Sequence, residues 1–245
     1  MIETVDHDGI AVLTLNHGPV NALDLELLSA VPETLAAVAD ARAVVLTGSG
    51  RSFSAGADLK RVVDGGPPYI EKFLPALSLA MYTVFEHPRP VVAAVNGHAL
   101  AGGCVLAAAC DVRLMSSGTI GLAELAVGVP FPTVPLEVMR HAVGPALDTM
   151  VLRAGRLTPD QAVSVGLVHE TAEPDRLLAT ALRRADELCA VPPAVYALSK
   201  HQLHRPARER ISTGQPADDA RVLELWSAES TSRTLREYLS SLQGR

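Results

Sequence analysis

Aromatic residues are scarce in this chain: one Trp, four Tyr and four Phe, or 4% of 245 residues. The formal net charge is −6 and no basic stripe interrupts it. A nucleic-acid partner is therefore not expected, because neither base stacking nor phosphate neutralisation has residues to supply it. Cysteine is equally sparse. Cys104, Cys110 and Cys189 are odd in number and form no CxxC pair, which argues against a disulfide framework or a zinc site and for a reducing compartment. The N-terminal Met1-Ile-Glu-Thr-Val-Asp6 lacks the basic start of a signal peptide. The longest apolar run, Ala99 to Cys110, has 12 residues with two glycines among them, too short to cross a bilayer. These absences predict a cytoplasmic protein with no membrane contact. The motifs GxSxG, GxGxxG and GxxxxGK[ST] are also missing, and His169-Glu170 lacks the second histidine of HExxH. A nucleophile elbow, those nucleotide sites and a metal centre are left without support.

What the chain does have is Ala and Val, with 48% hydrophobic residues overall. That is enough for one substantial core packed from small and β-branched side chains. Residues 2–6 and 10–16 read as a hairpin turning at Asp8-Gly9. A helix follows over 24–40 with Asp24 as its cap, and Pro32 predicts a late start or a kink. Ala43-Val-Val-Leu-Thr47 is a strand buried on both faces, and a glycine-rich loop runs from Gly48 to Gly56. Asp64-Gly-Gly-Pro-Pro68 reads as a flexible connection into a helix over 69–86. A second buried strand, Val91 to Val95, ends in a second glycine loop, Asn96 to Gly103, and a short helix over 104–110. Strand, glycine turn and helix thus recur, with the helical crossover that parallel strands need. Asp111 to Met115 reads as a further strand. Past residue 133 the pattern is helical. Pro145, Pro159 and Pro174 stand where helices should start, and Pro192-Pro193 breaks the run before two last helices. The basic stretch Lys200 to Arg210 reads as a solvated helix end rather than a phosphate-binding patch. The expectation is an α/β body over 1–190 with a helical appendage over 191–245.

The chemistry points to the two glycine turns, Ser54-Ala-Gly-Ala-Asp-Leu-Lys60 and Asn96-Gly-His-Ala-Leu-Ala-Gly-Gly-Cys104. Each follows a buried strand and opens a helix, where backbone N–H groups are exposed and the helix dipole is positive. With the strands side by side, the N–H groups of Ala57 and Gly102 can serve one oxyanion. Glycines in either turn alone equally serve tight turning; it is the recurrence of the pair that favours a site. Glu124 is the only charged residue between Arg113 and Glu137. It reads either as a carboxylate whose pKa is raised among apolar groups, suited to taking and returning a proton, or as a half-buried Glu whose head reaches solvent. His98 reads as a surface residue, Asp58 as a helix cap, and Asp111 as a boundary between elements.

At Ser52-Phe-Ser-Ala-Gly-Ala-Asp-Leu59, Pro90-Val-Val-Ala-Ala-Val-Asn-Gly-His-Ala-Leu-Ala-Gly-Gly-Cys104 and Cys110-Asp111, the sequence resembles the crotonase superfamily, the enoyl-CoA hydratase/isomerase family. The similarity runs from about Val12 to Val168. The resemblance implies an α/β fold, a spiral of ββα units with a helical C-terminal region that builds homotrimers or dimers of trimers. It implies an acyl-CoA thioester as substrate and no metal or organic cofactor. Ala57 and Gly102 match the family's oxyanion-hole positions. Ala55, Asp58 and Leu59 match the stretch that holds the adenine end of CoA, and Ala22 the approach to its pantetheine. Two departures stand out. Hydratases carry a Glu after Gly-Gly-Cys, where this chain has Val105; their second Glu corresponds to Glu124. After the following proline, where glycines are frequent in the family, this chain has Phe131-Pro-Thr-Val134, in the region that shapes the acyl pocket. One carboxylate suits an enoyl-CoA isomerase. A hydratase, or a related lyase or hydrolase, and a non-catalytic acyl-CoA binder are the alternatives.

Overall fold

The computed structural model describes residues 1–243. Strands β1 (Ile2–His7) and β2 (Ile10–Leu15) form the expected hairpin, with Asp8 and Gly9 both at positive φ, as a tight primed turn demands. Helix α1 (Leu25–Ala37) starts at its expected cap, where the Asp24 carboxylate accepts from the Leu27 N–H. Pro32 neither delays nor ends it. One backbone bond is lost, and burial of Leu27, Leu28, Val31 and Leu35 along one stripe holds the helix through the gap.

Three ββα units follow. The first is β3 (Ala43–Gly48), β4 (Ser52–Ser54) and α2 (Leu59–Phe85); the second is β5 (Val91–Val95), β6 (His98–Leu100) and α3 (Gly102–Ala108). The third is β7 (Val112–Met115), β8 (Ile120–Gly121), a 3-10 turn at Leu125–Val127, and α4 (Thr133–Val143). The chain then runs through α5 (Leu147–Arg153), β9 (Arg156–Leu157), α6 (Pro159–Ser164), β10 (Glu170–Thr171), α7 (Leu177–Cys189), α8 (Pro193–Ser227) and α9 (Glu229–Gln243). In each unit the first strand joins a six-stranded sheet, β1-β2-β3-β5-β7-β10, and the second joins a smaller one, β4-β6-β8-β9. Only β1 and β9 run antiparallel to their neighbours. The spiral of ββα units is the expected α/β architecture.

The continuous apolar runs have a direct cause. Val44 and Leu46 of β3, and Val91, Ala93 and Val95 of β5, face the main core. Ala43 and Val45, with Val92 and Ala94, face a second layer formed by Leu177, Ala181 and Ala185 of α7. Covered on both sides, the strands have no polar face to alternate with.

Four sequence expectations need correction. Asp64 to Pro68 is not a flexible connection: it lies inside α2, which kinks where Gly66 adopts φ 58° and ψ −156°. Pro67 and Pro68 follow that break, at the start of a helical turn, where a missing N–H is harmless. Each glycine loop contains a short strand, β4 or β6, whose three residues are too few to show a period. Pro174 stands ahead of α7, which begins only at Leu177. The stretch from Lys200 lies inside α8 rather than at a helix end and is solvated on one face only, where His201, Arg205 and Arg210 are exposed. Lys200, His204, Ala207 and Ile211 form the buried stripe of α8. Lys200 pairs with Asp111 at 2.8 Å, and His204 stacks on Phe85 at 3.7 Å between centroids. Charged residues at helical spacing can face inward when a partner waits there, a contact that local sequence does not display.

Candidate active site

The first turn is built around Asn21, which is fully buried at φ 51°. Its Nδ2 donates to the carbonyls of Ser52 at 2.9 Å and Phe53 at 3.2 Å, and its Oδ1 accepts from the His17 N–H at 2.9 Å. Ser54 Oγ donates to the Asn21 carbonyl at 2.7 Å and accepts from the Gly56 N–H at 3.2 Å. The two chain segments then meet in a parallel bridge between Leu23 and Ala57: Leu23 N–H donates to Gly56 O, and Asp58 N–H to Leu23 O. In such a bridge the residue between the two bonds turns its own N–H to the opposite side. The Ala57 N–H accordingly has no acceptor among the described residues. Asp58 caps α2, accepting from Arg61 N–H at 3.0 Å.

The second turn lies against the first. Gly56 adopts φ +84°, and a Cβ there would sit 2.6 Å from Leu100 O and 3.2 Å from Gly102 N. Gly103 packs closer still: its Cβ would fall 2.2 Å from Ser54 O. Only bare backbone allows this approach. Gly102 opens α3, so its N–H belongs to the helix's unsatisfied first turn and has no acceptor among the described residues. The β4–β6 and β6–β8 pairings are parallel and run through Ser54↔Ala99, Ala99↔Ile120 and Leu100↔Gly121. Ala57, Gly102 and Glu124 therefore follow the C-terminal ends of three adjacent parallel strands, the edge where open α/β sheets present their ligand sites.

Glu124 is 8% exposed. Its Oε2 accepts from the Ala123 N–H at 2.8 Å, and its carbonyl takes Val129 N–H at 3.0 Å, closing the 3-10 turn. Burial raises its carboxyl from the ordinary 4.5 to about 7, against the pull of the Glu124 and Ala123 N–H groups. The Cys104 thiol, two residues beyond Gly102, is pushed up first by burial and then by the Glu124 charge. Of the two readings of Glu124, the carboxylate among apolar groups is the one the structure adopts. A carboxyl near 7 and two free amides, each following one of three adjacent strands, are groups equipped to exchange protons with a carbon acid and to hold a developing oxyanion.

Ala22, Ala55, Asp58 and Leu59 are half-buried and flank the Ala57 turn. Val105 is 1% exposed on α3, in the core. Asn21, Ser54 and Leu23 carry the geometry of the Ala57 turn yet escaped sequence reading; a positive-φ Asn ahead of a capped helix is the one signal they offered. Leu77 escaped too; its Cδ1 lies 3.7 Å from the Cβ position of Gly102. A cavity of about 390 Å³ opens elsewhere, at the far end of α3, around Asp111, Lys200 and His204. Ala22, Ala55, Ala57, Asp58, Leu59, Gly102, Val105 and Glu124 are all absent from its lining.

Comparison with known proteins identifies the family. The family model described as enoyl-CoA hydratase/isomerase matches residues 6–243. Human mitochondrial enoyl-CoA delta isomerase 1 is 28% identical over 243 residues, 96% of this chain and 80% of that protein. A putative enoyl-CoA hydratase of Thermus thermophilus is 37% identical over 211 residues, 81% of this chain and 82% of that protein. The crystal structure of human mitochondrial delta3-delta2-enoyl-CoA isomerase superposes with a TM-score of 0.93 at 26% identity, covering 99% of this chain and 98% of that one. Fold, turns and sequence together place the chain in the enoyl-CoA hydratase/isomerase family, the crotonase superfamily.

Proposed function

We propose that the protein is an enoyl-CoA isomerase that converts a 3-enoyl-CoA into the conjugated 2-enoyl-CoA. Glu124 removes the proton from C2, and the electron pair delocalises onto the thioester oxygen. The Ala57 and Gly102 N–H groups hold that oxygen. Glu124 then returns its proton to C4 as the double bond settles between C2 and C3. No atom is gained or lost, and no metal or organic cofactor is needed. Ala22, Ala55, Asp58 and Leu59 hold the CoA portion on the β4 side. Each oxyanion donor typically contributes about 3 kcal/mol to lowering such a barrier.

One observation supports this reading: Glu124, a buried carboxylate, follows the strand next to those that lead into the two amides, and the position where the resemblance puts a hydratase's second carboxylate is Val105, buried in the core. With 3-enoyl-CoA, absorbance of the conjugated thioester should rise, and Glu124→Gln should abolish the rise. Undiminished turnover by Glu124→Gln would remove Glu124 from the mechanism.

Hydration is the second reading, because the Thermus relative is described as a putative hydratase. Product mass separates the two, since hydration adds one water. Gain of hydratase activity by Val105→Glu, from none, would support the isomerase.

Val195, Leu198 and Leu203 of α8 are 54–68% exposed, which supports residues 191–245 as an oligomerisation region and a homotrimer or dimer of trimers. Light scattering after gel filtration tests it, and a monomer would refute it. Free, buried Cys104 and Cys110 support a reducing, cytoplasmic setting. Among the described residues no helix is long and apolar enough to cross a membrane.

A further inference from the structure

Two cations are buried among the described residues, Lys200 and Arg113. Lys200 is matched: its Nζ lies 2.8 and 2.9 Å from the two carboxylate oxygens of Asp111. Arg113 of β7, 5% exposed, is not. Its Nε donates to Leu167 O at 2.7 Å, and its Nη1 to Cys110 O at 2.6 Å and Ala108 O at 3.3 Å. Carbonyls satisfy donors but leave the charge unbalanced, and no carboxylate among the described residues pairs with it. A buried charge is ordinarily paired, because its lost hydration is costly. Burial accordingly pulls Arg113 below its ordinary pKa.

The remaining nitrogen, Nη2, lies 3.1 Å from His169 Nε2, while His169 Nδ1 lies 3.0 Å from the Arg113 backbone N–H. Arginine only donates, and a neutral imidazole accepts at one nitrogen and donates at the other. Whichever ring nitrogen holds the proton, an N–H of His169 faces an N–H of Arg113. With Nδ1 serving the backbone amide, the Nε2–H and Nη2–H stand together and call for one acceptor. Both residues line the cavity of about 390 Å³ at the C-terminal end of α3, a volume within the range of small-molecule sites. The permanent charges on its lining are Arg113, Lys200 and Asp111, one positive charge in excess. Burial brings His141 and His169 down to about 4, so neither adds charge at pH 7. Phe85, Ala108, Leu188 and Leu203 supply an apolar wall.

We propose that this cavity is a ligand site distinct from the Ala57, Gly102 and Glu124 edge, and that it takes a small monocarboxylate with a short apolar body. The carboxylate accepts from Arg113 Nη2 and His169 Nε2, and the body lies along the apolar wall. One excess positive charge matches a monoanion. A dianion such as phosphate exceeds that charge, is repelled by Asp111 and leaves the apolar wall unused. The inference stands whether or not the protein is an isomerase, because none of the residues it uses belongs to the proposed proton-transfer site.

Sodium butyrate is the probe, titrated into the full chain at pH 7 and constant ionic strength, with 1-butanol and inorganic phosphate as controls for body and charge. A ligand of this size held by one charged and several apolar contacts binds with a Kd of about 1 mM. Calorimetry should give that value for butyrate, and binding at least about tenfold weaker for butanol and phosphate. In proton NMR the His169 ring signals, identified by their loss in His169→Gln, should shift and saturate over the same range. Those of His17, tied to Asn21 and Asp24 before the Ala57 turn, should stay in place. Arg113→Gln should abolish binding. Ala142→Leu, which narrows the cavity and leaves the Arg113 bonds alone, should weaken butyrate at least about tenfold and decides the matter if Arg113→Gln fails to fold. An unmoved His169 signal at about 20 mM butyrate, a shift of His17 in its place, phosphate or butanol binding as tightly as butyrate, or wild-type affinity in Ala142→Leu would each overturn the proposal.

Discussion

Glutamine at position 124 keeps the size of the side chain and an oxygen to accept the Ala123 N–H, and removes the charge. In the native protein burial raises the Glu124 carboxyl from 4.5 to about 7. The raised value means the folded state prefers the protonated form. The stability it contributes is fully present below pH 4.5 and is lost as pH rises through about 7. The shift corresponds to about 3 kcal/mol. Glu124→Gln should therefore match the wild type near pH 4 and exceed it by up to about 3 kcal/mol at pH 8.5, while losing isomerase activity. In the wild type, kcat/KM should rise with pH through an inflection near 7, as the base ionises. Urea unfolding of both proteins at the two pH values, beside a pH–rate profile, measures both effects. A stability difference that stays constant with pH would refute the reasoning, because the carboxylate would then carry no desolvation penalty.

Other perturbations test the scaffold. Gly103→Ala sets a Cβ 2.2 Å from the Ser54 carbonyl and should lower stability by about 1–3 kcal/mol in thermal unfolding; an unchanged Tm would mean the turns do not touch as described. Asn21→Ala unties the Ser52 and Phe53 carbonyls and should cost about 2 kcal/mol, with a fall in kcat as the Ala57 turn loosens. Lys200→Met leaves Asp111 uncompensated where the pair is only 7% and 13% exposed, and should cost about 3–5 kcal/mol. Adding Asp111→Asn should recover part of that loss in urea unfolding, and simple additivity would show the two side chains to be independent.

Much of the candidate site's scaffold was legible in the sequence. Ala43 to Thr47 and Val91 to Val95 are apolar without alternation, which suits only strands covered on both faces. Asp24 and Asp58 stand one step before their helices. The glycines of both turns, together with the resemblance they carry, pointed to Ala57 and Gly102, and isolation in an apolar segment pointed to Glu124. These features depend on neighbours a few residues away, so the chain displays them in order. Bonds between distant segments remained hidden: Leu23 to Ala57, which turns an amide outward, Asn21 into the Phe53 carbonyl, and Lys200 to Asp111 across 89 residues. The sequence by itself determined the local elements, the turns and the identity of the lone carboxylate. Only the tertiary structure decided that Glu124 is desolvated and that the Ala57 and Gly102 amides are left without acceptors at the same sheet edge. Desolvation and convergence are sums over residues far apart in the chain, and they exist only once the chain has folded.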